Sequence, residues 1–183
     1  ELIDQVPTSD LANLRRDQRV TLSEIMGLRL IFLSLDHLRG PNDNSPFITD
    51  NDGRPLGRNP LRDVRVRRAL SIAIDRRAIA DRVMEGAATP ASQFIPEGVQ
   101  GHVPNLPAPA ADPERARALL REAGYPNGFR IQLNGPNDRY INDARIIQAI
   151  GQMWTRIGVR TAVEAQTWST FAARAARLSL IHI

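Results

Sequence analysis

A chain of 183 residues with 42% apolar and 24% charged positions is long enough to bury a core and has an ordinary globular composition. It contains no cysteine, which excludes disulfides, thiolate catalysis and cysteine-based metal sites together. No apolar run reaches the roughly 18 residues that a membrane-spanning helix needs, and the most hydrophobic stretch, Gly27 to Leu35, is strand-sized.

The net charge is +4, the sequence pI is about 10.8, and every one of the 24 basic residues is arginine. Such a bias reads as a GC-rich coding sequence, and the arginines lie scattered among acids, as in Asp63-Val64-Arg65-Val66-Arg67-Arg68. A nucleic-acid module would gather that charge on one face or arm. Solvated helix faces are the expectation, with a basic nucleic-acid-binding module kept as the alternative. The chain opens at Glu1-Leu2-Ile3 without an initiator methionine or a basic-then-apolar leader, so its natural start is expected upstream.

The spacing predicts a short helix from Leu11, capped by Ser9 or Thr8, then a weak strand over Val20 to Leu22. Leu28 to Asp36 alternates with apolar residues on both faces, which predicts a strong strand buried between layers. Periodicity then vanishes from His37 to Pro60, where Gly40-Pro41 and Asp52-Gly53 mark turns in a surface loop or hairpin-like excursion. Asp63 is placed to cap a helix to about Ile74, and Asp75 a second one ending at Gly86. Five prolines between Ala87 and Ala111 require an irregular, extended connection. Asp112-Pro113-Glu114 then starts a helix that runs to Gly124.

Phe129 to Leu133 reads as a strand, followed by a polar loop, Asn134 to Asp138. A long amphipathic helix follows, with Ile141, Ile146, Ile147, Ile150 and Trp154 as its apolar residues and Gly158 closing it. Val159 to Glu164 is predicted as a strand and Thr167 to Arg177 as a helix. Leu178 to Ile183 reads either as the start of another strand or as a translated adapter scar. Alternating strands and helices predict an α/β layered domain.

No constellation of catalytic groups emerges. His37, His102 and His182 stand at no metal-ligand spacing, and no metal or other cofactor is expected. There is no Gly-x-Ser-x-Gly elbow, and Asn134-Gly135-Pro136-Asn137 is a single-glycine turn rather than a phosphate loop. A small enzyme is therefore disfavoured. Trp154 is expected in the core, whereas Trp168 suits either the core or a ligand.

Three stretches carry a family resemblance. Residues 59–76, Asn-Pro-Leu-Arg-Asp-Val-Arg-Val-Arg-Arg-Ala-Leu-Ser-Ile-Ala-Ile-Asp-Arg, resemble the helix pair of peptide-type solute-binding proteins. Asp112-Pro113-Glu114 through Glu122-Ala123-Gly124-Tyr125-Pro126-Asn127-Gly128-Phe129 is similar to a second run of that family. The third is Ile157-Gly158-Val159, then Val163-Glu164 and Trp168-Ser169-Thr170-Phe171. The family is the extracytoplasmic solute-binding proteins of ABC importers for dipeptides, oligopeptides, nickel complexes and related solutes (family 5).

The resemblance implies a periplasmic-binding-protein-like α/β lobe with a mixed sheet flanked by helices, in a fragment of a protein more than twice this length. Residues 1–35 are then the end of the first lobe and the crossover, and residues 36–183 the second lobe, truncated before a Gly-Trp pocket element. It also implies a small solute, a peptide being one possibility, held between lobes of a monomeric periplasmic or lipid-anchored protein and passed to ABC permease subunits, with no nucleic acid. The cleft wall carried over lies near Phe32, Ser34 and Asp36 on the strand after the crossover, and near Met84 and Glu85 at the end of the second motif helix. Oligopeptide binders can place a basic residue where Met84 stands, so a peptide-carboxylate clamp at that point is not expected. The bland readings of these residues are a core or terminal strand position for Phe32, Ser34 and Asp36, and a solvated helix-end charge for Glu85.

Overall fold

The computed structural model describes residues 6–38 and 47–177. In chain order these form α1 (Thr8–Leu14), β1 (Ile48–Thr49), a 3-10 turn (Pro60–Arg62), α2 (Val64–Ile72) and α3 (Arg76–Ala78). Then come a π turn (Ile79–Val83), α4 (Pro113–Glu122), β2 (Phe129–Pro136), α5 (Asp143–Arg156), β3 (Val159–Gln166) and α6 (Trp168–Arg177). The sheet order is β1-β2-β3, with β1 antiparallel and β3 parallel to β2, so the sheet is mixed and the domain α/β as expected.

The parallel pair depends on two glycines. Gly128 and Gly158 lie just before β2 and β3, both at positive φ, and a Cβ on Gly128 would stand 1.8 Å from the Gly158 carbonyl oxygen. No side chain can occupy that gap. Register follows at once, from Phe129 opposite Val159 to Pro136 opposite Gln166.

Side chains of one strand alternate between faces. Gly151 of α5 rests against Val163 and Thr161 on one face, while Arg174 of α6 pairs with Glu164 on the other at 2.5 Å. The two helices thus cover opposite faces of the β2–β3 pair. The α5 face is the core: Phe129, Ile131 and Leu133 meet Ile147, Trp154, Leu70 and Leu120, all essentially buried. Trp154 also donates its indole N–H to the Leu70 carbonyl at 2.9 Å, tying α5 to α2.

Helix ends are satisfied as their chemistry demands. Asp63, Asp75 and Asp112 accept from Arg65, Ala78 and Arg115 backbone N–H groups, as the sequence predicts. Arginines close the opposite ends: Arg65 donates to the Glu122 carbonyl at 2.7 Å, and Arg117 to that of Arg156 at 3.0 Å.

Several expectations change. Leu28 to Asp36 is extended but not a ladder strand: only Ser34 forms a bridge, and Leu28 and Phe32 are exposed. Its period of two survives, with Ile31, Leu33 and Leu35 turned onto the core. Val20 to Leu22 forms no strand, because alternation without a neighbour to pair with does not make a sheet. Helix α1 begins after Pro7 with no side-chain cap, since Thr8 is its first residue and is buried. The second motif helix shortens to three α-helical residues and then widens into a π turn. Asn134 to Pro136 extends β2 instead of forming a loop, Ile141 lies ahead of α5 and is exposed, and Val64 faces solvent at the first turn of α2. The expectation for Leu178 to Ile183 lies outside the described residues.

Two outcomes check this account. Gly128→Ala should lose roughly 2–5 kcal/mol in urea unfolding, combining left-handed strain with a backbone clash. The Arg65 guanidinium holds the Asp63 carboxyl below the usual carboxylate range. A lowered folded value means the stabilisation is full above about pH 3.9 and disappears as pH falls through the folded value. Asp63→Asn should therefore flatten the acid limb of the stability-versus-pH curve while lowering stability at neutral pH.

Candidate functional site

In an open α/β sheet, ligand sites form beyond the carboxyl ends of parallel strands, where loops from neighbouring strands meet. Here the loop after β2, residues 137–140, is held against the end of β3. Asn137 donates its backbone N–H to the Gln166 carbonyl at 2.8 Å, and Asp138 accepts from the Trp168 N–H at 2.6 Å. Asp143 holds the loop from the other side. Its carboxylate accepts from the backbone N–H groups of Arg139 and Tyr140, each at 3.0 Å, and from Ala144 at 2.8 Å. Only 4% of Asp143 is exposed, so a buried charge is spent on fixing one short loop.

That loop brings Tyr140 to an open groove of about 330 Å³ and sets Arg139 beside the rings of Tyr140 and Trp168. Leu30, Ile31 and Phe32 line one side, and Tyr140, Trp168 and Phe171 with the small residues Ala172 and Ala175 line the other. Tyr140 meets Trp168 edge-on at 6.2 Å, and Trp168 tilts over Phe171 at 5.9 Å. The Arg139 guanidinium lies 5.9 Å from the Tyr140 ring and 5.4 Å from the Trp168 ring, while Arg29 lies 5.6 Å from Tyr140. Among the described residues neither arginine pairs with a carboxylate, unlike Arg65, Arg115, Arg145 and Arg174. Such an arrangement suits an apolar body with an anionic end: rings and alanines take the body, and guanidinium forks take a carboxylate.

Of the five residues carried over by resemblance, only Phe32 lines this groove, and its ring also meets Phe94 edge-on at 5.2 Å. Ser34 and Asp36 continue the same segment inward, and the Asp36 carbonyl accepts from the Asn59 amide at 2.8 Å. Met84 is buried in the core cluster at the end of the π turn. Glu85, at left-handed φ 53, pairs with Arg145 at 3.4 Å. Sequence reasoning missed Arg139, Tyr140 and Asp143. Asn134 to Asp138 was legible there only as a turn, and nothing linear marks Asp143 as holding a loop behind it. Among the described residues no group of three metal-ligating side chains comes together.

The groove therefore lies at the carboxyl ends of the two parallel strands of a mixed α/β fold. Residues 1–180 match the bacterial extracellular solute-binding proteins, family 5, and the chain belongs to that family. It is 31% identical to heme-binding protein A of Haemophilus influenzae over 175 residues, 91% of this chain and 28% of that protein. Identity to the dipeptide-binding protein of Escherichia coli is also 31%, over 170 residues, again 91% of this chain and 28% of the relative. The solved structure of HbpA2 from Haemophilus parasuis superposes with a TM-score of 0.68 at 31% identity, over 97% of this chain and 32% of that one. The chain thus spans less than a third of the length of these relatives.

The groove makes an optical prediction. Trp154 is fully buried and Trp168 is 38% exposed beside a cation, so iodide should quench fluorescence more than caesium does, and Trp168→Phe should abolish the accessible component. Asp143→Ala should cost roughly 1–3 kcal/mol by urea unfolding and erase the iodide preference, as Arg139 is no longer held.

Proposed function

We propose that this chain is the crossover and most of the second lobe of the substrate-recognition component of an ABC importer. The whole protein takes a small solute, a peptide or a similar amphipathic carboxylate, into a cleft between two lobes and delivers it to a membrane permease. The observation that carries this reading is the aromatic groove, with Arg29 and Arg139 beside its Tyr140 ring and no carboxylate paired to either among the described residues. It is supported by family membership and by relatives whose names describe binders of dipeptides and heme.

On this reading residues 1–35 are the end of the first lobe and the crossover, and residues 36–183 are the second lobe, truncated at its C-terminal end. Phe32, Ser34 and Asp36, with Met84 and Glu85 at the far corner, make up its side of the cleft together with Arg29, Arg139, Tyr140 and Trp168. Binding, not chemistry, is the activity, and the protein works outside the cytoplasm as a monomer. The nucleic-acid alternative finds no support, because the family and the relatives that the chain matches are solute-binding proteins.

A thermal-shift screen of the full-length protein against di- and tripeptides, glutathione and hemin tests this. Bound solutes should raise the melting temperature, the shift growing with the logarithm of solute concentration above Kd. Arg139→Ala should weaken the hit about 10-fold or more, the scale of a charge-assisted hydrogen bond, with lesser effects for esters of the same solute. The isolated chain should bind the same hit far more weakly than the two-lobe protein. No stabilisation by any of these solutes, together with salt-sensitive retardation of DNA, would overturn the reading.

A further inference from the structure

Helix α1 meets the rest of the molecule at one corner. Thr8 and Leu11 are its buried residues, 4% and 8% exposed, yet Leu11 does not belong to the main apolar core. The Thr8 hydroxyl accepts a hydrogen bond of 2.7 Å from the Asn142 amide, which also donates to the Val83 carbonyl at 2.9 Å. After α1, residues 15–29 contain no helix or strand and are largely exposed; their tie back to the helix is the Arg15–Glu24 ion pair at 2.7 Å.

The receiving corner is unusual in its backbone. Asn142 at φ 56 and Glu85 at φ 53 are both left-handed, and both belong to this corner: Asn142 reaches Val83, next to Met84, while Glu85 reaches Arg145 one turn into α5. Non-glycine residues adopt that conformation uncommonly, and such strain persists where the surrounding contacts determine it. Asn142 stands at the N-cap of α5 but does not cap it; its amide is turned outward to Thr8 and Val83 instead. A helix start has therefore given up its usual cap in favour of a contact 134 residues away in sequence.

We propose that Val83, Met84, Glu85 and Asn142 form a seat on the second lobe into which α1, carried by the first lobe, docks when the cleft closes. This rests on the lobe division proposed above. The seat then works as a latch: opening the cleft replaces the Asn142–Thr8 hydrogen bond with water, and closing restores it. Because the Thr8–Asn142 hydrogen bond joins two residues outside the proposed cleft wall, it sets how often the empty protein visits its closed form.

The test needs no ligand. Thr8→Cys and Asn142→Cys are introduced into the full-length protein; this chain has no cysteine of its own. The pair is treated with dibromobimane, a short reagent that fluoresces on bridging two thiols, and the radius of gyration is measured by small-angle scattering before and after. Bridging that shrinks the ligand-free protein is the expected result. Thr8→Val, which keeps the side-chain shape and removes the hydroxyl acceptor, should shift the ligand-free protein toward the larger radius. Failure to bridge in a double variant with native circular dichroism would overturn the seat and leave the lobe division standing. Bridging with no change in radius would place α1 permanently on the second lobe, and the division at residue 35 would fall with the latch.

Discussion

The sheet depends on the close approach of two glycines. Gly128 and Gly158 bring the entrances of β2 and β3 together so tightly that even a methyl group is excluded, and the eight-residue parallel ladder follows from there. Its exits are consequently level. The loop after β2 can reach the Gln166 carbonyl and the Trp168 N–H only because Pro136 stands opposite Gln166. A slip of one residue would turn Arg139 and Tyr140 away from α6 and send Leu133 to the wrong face. The groove is thus a consequence of a contact at the other end of the strands.

Charge is distributed by the same logic. The arginines that dominate the composition are, for the most part, local fittings. Arg65 and Arg117 close the carbonyl ends of neighbouring helices, Arg76 reaches the Ser71 carbonyl, and others pair with acids close in sequence. Exposed pairs of this kind contribute little stability each. Arg29 and Arg139 have no carboxylate partner among the described residues and, like Arg58 beside Tyr125, sit by aromatic rings. They lie over rings, where a cation is attracted without being neutralised, and so keep their charge available at the groove.

Much of the scaffold was legible residue by residue. Asp63, Asp75 and Asp112 cap helices because a carboxylate ahead of an apolar repeat has few other uses, and Ile146, Ile147, Ile150 and Trp154 recur at the helical period and are buried. The misreadings have one cause in common. Leu28 to Asp36 alternates as a strand should, but a ladder needs a neighbour that alternation cannot supply. Asn134 to Pro136 looks like a turn in composition, yet β3 pairs with it and makes it strand. Phe32 was found through resemblance; Arg139, Tyr140 and Trp168 become a site only when three segments far apart in the chain converge.

By itself, then, the amino-acid sequence determined the α/β class, the capped helices and the family, because caps, periodicity and glycine turns act between residues a few positions apart. Tertiary structure decided the site. Asp143 holding the Arg139 loop, the aromatic wall shared with α6, and the Asn142 amide reaching Thr8 are contacts whose geometry no local pattern contains, since they exist only once the parallel strands have fixed which ends meet.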